Sequence, residues 1–164
     1  MTKLPLKPHD ELPPNSNCVR HAAPRHMTTP LATGAFLLRG EEGELSFGWL
    51  EYFAEHATYY ERLKAVCHTQ SIRPNATGRL LCVDIDAARA GLTATEALSA
   101  VRVLWTPIQN DPKQLDDPCH ASAVGLPPLS EALRQAAAEQ FALAVRKDHE
   151  WRELYKQKIA PKTW

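Results

Sequence analysis

The 164 residues carry 44% hydrophobic and 23% charged side chains, an ordinary globular composition that excludes a wholly disordered chain and suits a single domain with its own core. Lysine plus arginine equals aspartate plus glutamate, 19 each, so no net field draws the protein onto nucleic acid or an anionic membrane, and such a partner would need a local patch. No apolar run approaches the roughly 18 residues of a membrane helix.

The first thirty residues contain Pro5, Pro8, Pro13, Pro14, Pro24 and Pro30, each of which removes a donor and disfavours helix in the residue before it. Residues 1–30 therefore read as an extended proline-rich arm, without the apolar stretch an export signal needs. Ala35-Phe36-Leu37-Leu38, closed by Gly40 and Gly43, has the profile of a first buried strand. Ser46 offers an N-cap ahead of Trp49, Leu50, Phe53, Ala57, Tyr60, Leu63 and Cys67, whose spacing predicts one long amphipathic helix. Residues 80–85 and 101–105 read as strands, with a short alanine-rich helix over 93–100 between them. Turn formers fill residues 107–118, an exposed loop. Residues 120–124 make a last short strand before Gly125, and Ser130 caps a second long helix whose apolar stripe is Leu133, Ala136, Ala137, Phe141, Ala144 and Val145.

This order predicts an α+β domain over residues 31–146, a small mixed sheet covered by two long helices, followed by a charged helical extension over 147–164. Cys18, Cys67, Cys82 and Cys119 stand far apart with no C-x-x-C pair, so they read as reduced thiols of a cytoplasmic protein.

Gly-rich phosphate loops, H-E-x-x-H and G-x-S-x-G are missing from the sequence, and with them the readiest assignments of function. Two polar constellations remain. In the arm, Arg20-His21 and Arg25-His26 recur five residues apart; guanidinium groups grip phosphate and imidazole exchanges protons near neutral pH, so this pattern suits a small anionic ligand, while a solvated basic arm is the plainer reading. In the loop, Asp117 precedes His120 by three residues, a spacing at which a carboxylate could orient a general base, although an Asp-Pro turn beside a backbone-satisfied histidine explains the same residues. Cys18, His21, Cys119 and His120 could form a tetrahedral zinc site, but adjacent ligands rarely converge, and no cofactor is expected. Glu51, placed off the apolar stripe of the first helix, is a candidate to pin the arm by pairing with Arg20 or Arg25.

The block Leu45-Ser46-Phe47-Gly48-Trp49-Leu50-Glu51-Tyr52-Phe53 with Asp117-Pro118-Cys119-His120-Ala121 and Gly125-Leu126-Pro127 resembles a group of small uncharacterised bacterial proteins. The resemblance spans most of residues 20–127. It implies a bacterial source and carries no activity or catalytic residue with it.

Two functional readings follow from the residues. In the first, narrowly preferred at this level, the arm and the charged C-terminal helix dock on an unknown protein partner. In the second, a small enzyme acts on a phosphate-bearing or nucleotide substrate. There His120 is the acid/base, Asp117 orients it, and Arg20, Arg25 and His21 or His26 hold the anion.

Overall fold

A computed structural model describes residues 6–27, 32–39, 41–72 and 77–150. Its architecture is α+β: six strands in one sheet of order β4-β5-β2-β1-β3-β6, in which neighbouring strands pair antiparallel, so the sheet is not the mixed one expected, and among the described residues three α-helices of 9 to 13 residues stand in place of two long ones. The strands are β1 (Asn17–Ala22), β2 (Leu45–Trp49), β3 (Arg79–Asp84), β4 (Arg102–Trp105), β5 (His120–Val124) and β6 (Val145–Glu150), and the α-helices are α1 (Tyr59–Thr69), α2 (Ile85–Thr93) and α3 (Glu131–Leu143). No helix among the described residues is long and apolar enough to cross a membrane.

The N-terminal segment is not a peripheral arm. Asn17–Ala22 pairs along its whole length with β3 and briefly with β2, and Leu12 and His9 donate to the carbonyls of Val103 and Trp105, so residues 9–12 cover the β4 edge. Prolines crowd the linker before β1 but spare the strand itself, where Cys18, Val19 and Ala22 are buried. Glu51 does anchor this segment, through Asn17 and not through an arginine: its carboxylate accepts from the Asn17 backbone N–H at 2.8 Å and from Nδ2 at 3.0 Å.

The expected long helix from Ser46 is three elements. Leu45–Trp49 is a strand, Leu50–Phe53 a 3-10 turn, and α1 starts only after Thr58. Thr58 and Glu61 form a capping box at that start, the side chain of each accepting the backbone N–H of the other. The 3.6-residue spacing of the apolar residues was real, but pairing of β2 to β1 and β5 overrides it. Likewise Ala35-Phe36-Leu37-Leu38, expected as a strand, is not one: Thr33–Phe36 is a 3-10 turn that sends Phe36 into the core. The helix expected over 93–100 lies earlier in the chain: Asp84 Oδ1 accepts from Ala87 N and caps α2 at the end of β3, α2 ends at Thr93, and only the 3-10 turn Glu96–Leu98 falls within the expected range. Past α3 the chain turns into β6 and not into a helical extension; this charged edge strand runs beside β3, with Arg79 bridging Asp148 and Glu150. Residues 151–164 lie outside the described part.

Two apolar clusters flank the sheet. The larger one contains Cys18, Phe47, Leu81 and Val83 from the strands, packed on Phe36, Ile85, Leu92 and Phe141 beneath α2 and α3. The smaller one contains the alternate residues Val19, Leu80 and Cys82, packed on Leu63, Val66 and Cys67 of α1. Gly48 lets α1 sit close: a Cβ there would lie 2.1 Å from Val66 Cγ1. At 11 residues, α1 spans only about 16 Å, so it covers part of its face and leaves the remainder to other groups.

Candidate functional site

The ladder between the central strands β1 and β2 consists of two positions, Cys18 opposite Trp49 and Val19 opposite Gly48. Past Val19 the strands separate, and Arg20 fills the parting from the α3 side. Its Nε donates to the Ala35 carbonyl at 2.6 Å, its Nη1 to the Ser46 carbonyl at 2.8 Å, and its guanidinium lies 5.9 Å from the centre of the Phe47 ring. Burial first, and the neighbouring charge of Arg39 second, pull its pKa down from 12.5 to about 10. With two donor groups spent on carbonyls, Arg20 holds the opening in shape, and its Nη2 has no partner among the described residues.

On the opposite side of this parting, past the C-terminal end of α1, lies a cavity of about 490 Å³. Its wall from β1 includes Val19, Arg20 and His21, its floor Ser46 and His120, and the loop before β5 adds Asp117 and Leu115. Residues 69–72 close it from the helix side. The cavity therefore gathers Arg20, His21, Asp117 and His120 of the sequence candidates. Arg25, His26 and Glu51 are not among its lining residues.

His120 is the best-defined group in it. The residue is 6% exposed, and its Nδ1 lies 2.8 Å from the Thr106 carbonyl oxygen. A carbonyl only accepts, so Nδ1 carries the proton and, in the neutral ring, Nε2 keeps the lone pair. Among the described residues Nε2 has no hydrogen-bond partner. The orienting group is thus Thr106, not Asp117. The Asp117 carboxylate turns away, accepting from Gln70 Nε2 at 3.0 Å and from Cys119 Sγ at 3.1 Å, while its backbone carbonyl accepts the His120 N–H. Asp117 is 7% exposed and ties the loop to the end of α1. By the same reasoning His21 donates from Nε2 to the Thr77 carbonyl at 3.0 Å, which leaves its Nδ1 as acceptor in the neutral ring.

Arg25 and His26 stand apart, on the 3-10 turn Pro24–His26 that follows β1. Arg25 Nε donates to His26 Nε2 at 3.1 Å, so the neutral His26 ring is protonated at Nδ1, a buried atom without a hydrogen-bond partner among the described residues. Desolvation, then the charges of Arg39, Arg25 and Arg20, hold the His26 pKa below its ordinary value, against an opposing pull from Glu42. Positive charge accordingly collects at the β1 end of the parting.

The cysteines do not form a reactive or metal-binding set. All four are free and buried, and desolvation is the first cause pushing each thiol up, Cys82 to about 11 and Cys67 to about 12. In a strand, residues three apart face opposite sides, so Cys18 enters the larger cluster while His21 faces the cavity, and Cys119 belongs to the smaller cluster. The set Cys18, His21, Cys119 and His120 is not brought together, and among the described residues no three His, Cys, Asp or Glu side chains are grouped to hold a metal ion.

Sequence reasoning missed Thr106 and Gln70, and it used Ser46 as a helix cap. The missed signal was alternation: in β5, His120 and Ser122 face one side and Ala121 and Ala123 the other.

Comparison of this chain with protein-family models, with curated proteins and with solved structures finds no match.

Proposed function

We propose that this protein is a small enzyme acting on a phosphate-bearing or nucleotide substrate, with Nε2 of His120 as the acid/base in the cavity past α1. One observation carries the reading: a buried histidine whose Nδ1 is held by Thr106 presents its other nitrogen, unpartnered among the described residues, in a cavity large enough for a small molecule. In this reading His21 Nδ1 is a second proton-accepting group, on β1, which lies two strands from β5 in the same sheet. Arg20, with the charges of Arg25 and Arg39 behind it, supplies the field that favours an anion. Asp117 and Gln70 shape the wall. No cofactor is needed for proton transfer by these groups. Four free, buried thiols are compatible with a reducing, cytoplasmic setting.

The partner-binding reading drew its support from a loosely attached arm and a projecting C-terminal helix. With Asn17–Ala22 at the centre of the sheet and Val145–Glu150 paired to β3, that support is smaller.

The test is turnover of a set of phosphomonoesters, phosphodiesters, pyrophosphates and nucleotides by the full chain and by His120→Asn. Loss of an acid/base costs roughly 10²–10⁴-fold. Turnover of one class that drops by this amount in the folded variant is the expected result; equal turnover by both proteins removes His120 from the chemistry.

A further inference from the structure

The hydrogen bonds that fix His120 do not stop at Thr106. On the sheet face that bears the cavity, Gly48 pairs with His120 and Ser46 with Ser122 across β2 and β5, and Leu104 pairs with Ser122 across β4 and β5. Thr106 therefore follows as the neighbour of His120, and Glu44 lies just before β2 on the same face as Ser46. These side chains connect diagonally. Ser122 Oγ, fully buried, lies 2.6 Å from Glu44 Oε1 and 2.7 Å from Thr106 Oγ1, and Thr106 Oγ1 lies 2.9 Å from His120 Nδ1.

Proton counting fixes the direction of every bond. An ionised carboxylate only accepts, so the single Ser122 proton goes to Glu44. Ser122 Oγ can then only accept from Thr106, which spends the Thr106 proton. Thr106 is left with lone pairs on Oγ1 and on its carbonyl, both within 2.9 Å of His120 Nδ1, and both require a proton on Nδ1. All the donors point towards Glu44, and each bond polarises the next.

We infer that Glu44 is a positioning residue: through Ser122 and Thr106 it holds His120 in the Nδ1–H tautomer and turns the Nε2 lone pair to the cavity. When Nε2 takes a proton, the positive charge of the ring lies at the head of a chain of dipoles ending on a carboxylate, which stabilises that state without a direct carboxylate contact. The use of Nε2 as a base rests on the enzymatic reading above; the tautomer and its dependence on Glu44 do not.

The experiment is long-range proton–nitrogen NMR on the full chain labelled with 15N-histidine, at a pH where the ring is neutral, with Glu44→Gln and Ser122→Ala alongside. The wild-type His120 ring should show Nδ1 protonated and Nε2 bare. A glutamine amide can donate to Ser122 and allow both hydroxyls to reverse, and Ser122→Ala cuts the chain, so both variants should gain a clear fraction of the Nε2–H form. An Nε2–H ring in the wild type overturns the inference. So does a ring unchanged in Glu44→Gln, since the Thr106 carbonyl alone would then be setting the tautomer. The predicted NMR pattern without turnover of any phosphate ester would keep the role of Glu44 and remove the enzymatic reading, so the two fail separately.

Discussion

On the face beneath α2 and α3, Phe36, Phe47 and Phe141 pack ring to ring with centroids 5.7 to 6.4 Å apart. The small residues Ala121 and Ala123 of β5 make room below them. On the opposite face the same strands place Val19, Leu80 and Cys82 under α1, but past the end of that helix they present Ser46, His120 and Ser122. A face covered along its length can be wholly apolar, whereas a face whose cover stops short has to satisfy polar groups where the helix ends. The candidate site occupies that boundary. One side of the sheet supplies rigidity and the other carries the polar groups to which we assign the proposed chemistry, and substitutions should separate the two.

The largest effect is expected on the covered face. Phe47→Ala removes the ring that touches both Phe36 and Phe141 and also underlies Arg20, so urea denaturation should show a loss of about 3–5 kcal/mol. A loss below about 1 kcal/mol would mean that this face repacks freely and is not the rigid half.

The next effect falls where the short helix meets the sheet. In Gly48→Ala the new methyl meets Val66 Cγ1 at 2.1 Å and the Gln70 amide at 3.1 Å, at a cost of about 1–3 kcal/mol for overpacking. Adding Val66→Ala clears the nearer contact, so the double variant should lose less than the sum of the two single losses. Strict additivity would contradict the close seating of α1 on Gly48.

How much of this was legible in the sequence depends on whether the deciding contacts are local. The strands at 80–85 and 101–105, the strand at 120–124 and the helix behind Ser130 could be read because their patterns are short-range and bounded by turn residues. The arm could not. Adjacent Cys18 and Val19 are both buried, on opposite faces of the sheet, so the stretch shows no alternation to mark it as a strand; prolines surround it, and its partners are about sixty residues away in β3. The helix expected from Ser46 failed for the reverse reason: its periodicity was good, yet Phe47 and Trp49 are held by strand pairing to β5 and β1. Thr58-x-x-Glu61 was the local mark of the true helix start. For the site, His120 and its company with Arg20 and His21 were within reach of residue chemistry. Thr106, Ser122 and Glu44 were not, because only the sheet register brings them together.

The smallest effect is a pH dependence at the β1 end of the parting. His26 is held below its ordinary pKa by desolvation and by Arg39, Arg25 and Arg20, with only Glu42 opposing. A depressed histidine binds its proton more readily in the unfolded chain, so the unfolded state takes up more protons as pH falls below about 6.5, and stability declines there. The urea midpoint should therefore fall on going from neutral pH towards pH 5, and His26→Gln should flatten that part of the curve. An equally steep decline in the variant would assign the effect to other groups.

The central claim, that the short-covered face is a site for phosphate-bearing molecules, is tested most directly by following the His120 and His21 imidazole resonances of the full chain while titrating adenosine diphosphate. The account predicts saturable shifts at both rings, with the resonances of Phe36 and Phe141 under α2 and α3 unmoved. Shifts absent from both histidines at millimolar ligand, or spread evenly over the two faces of the sheet, would contradict it.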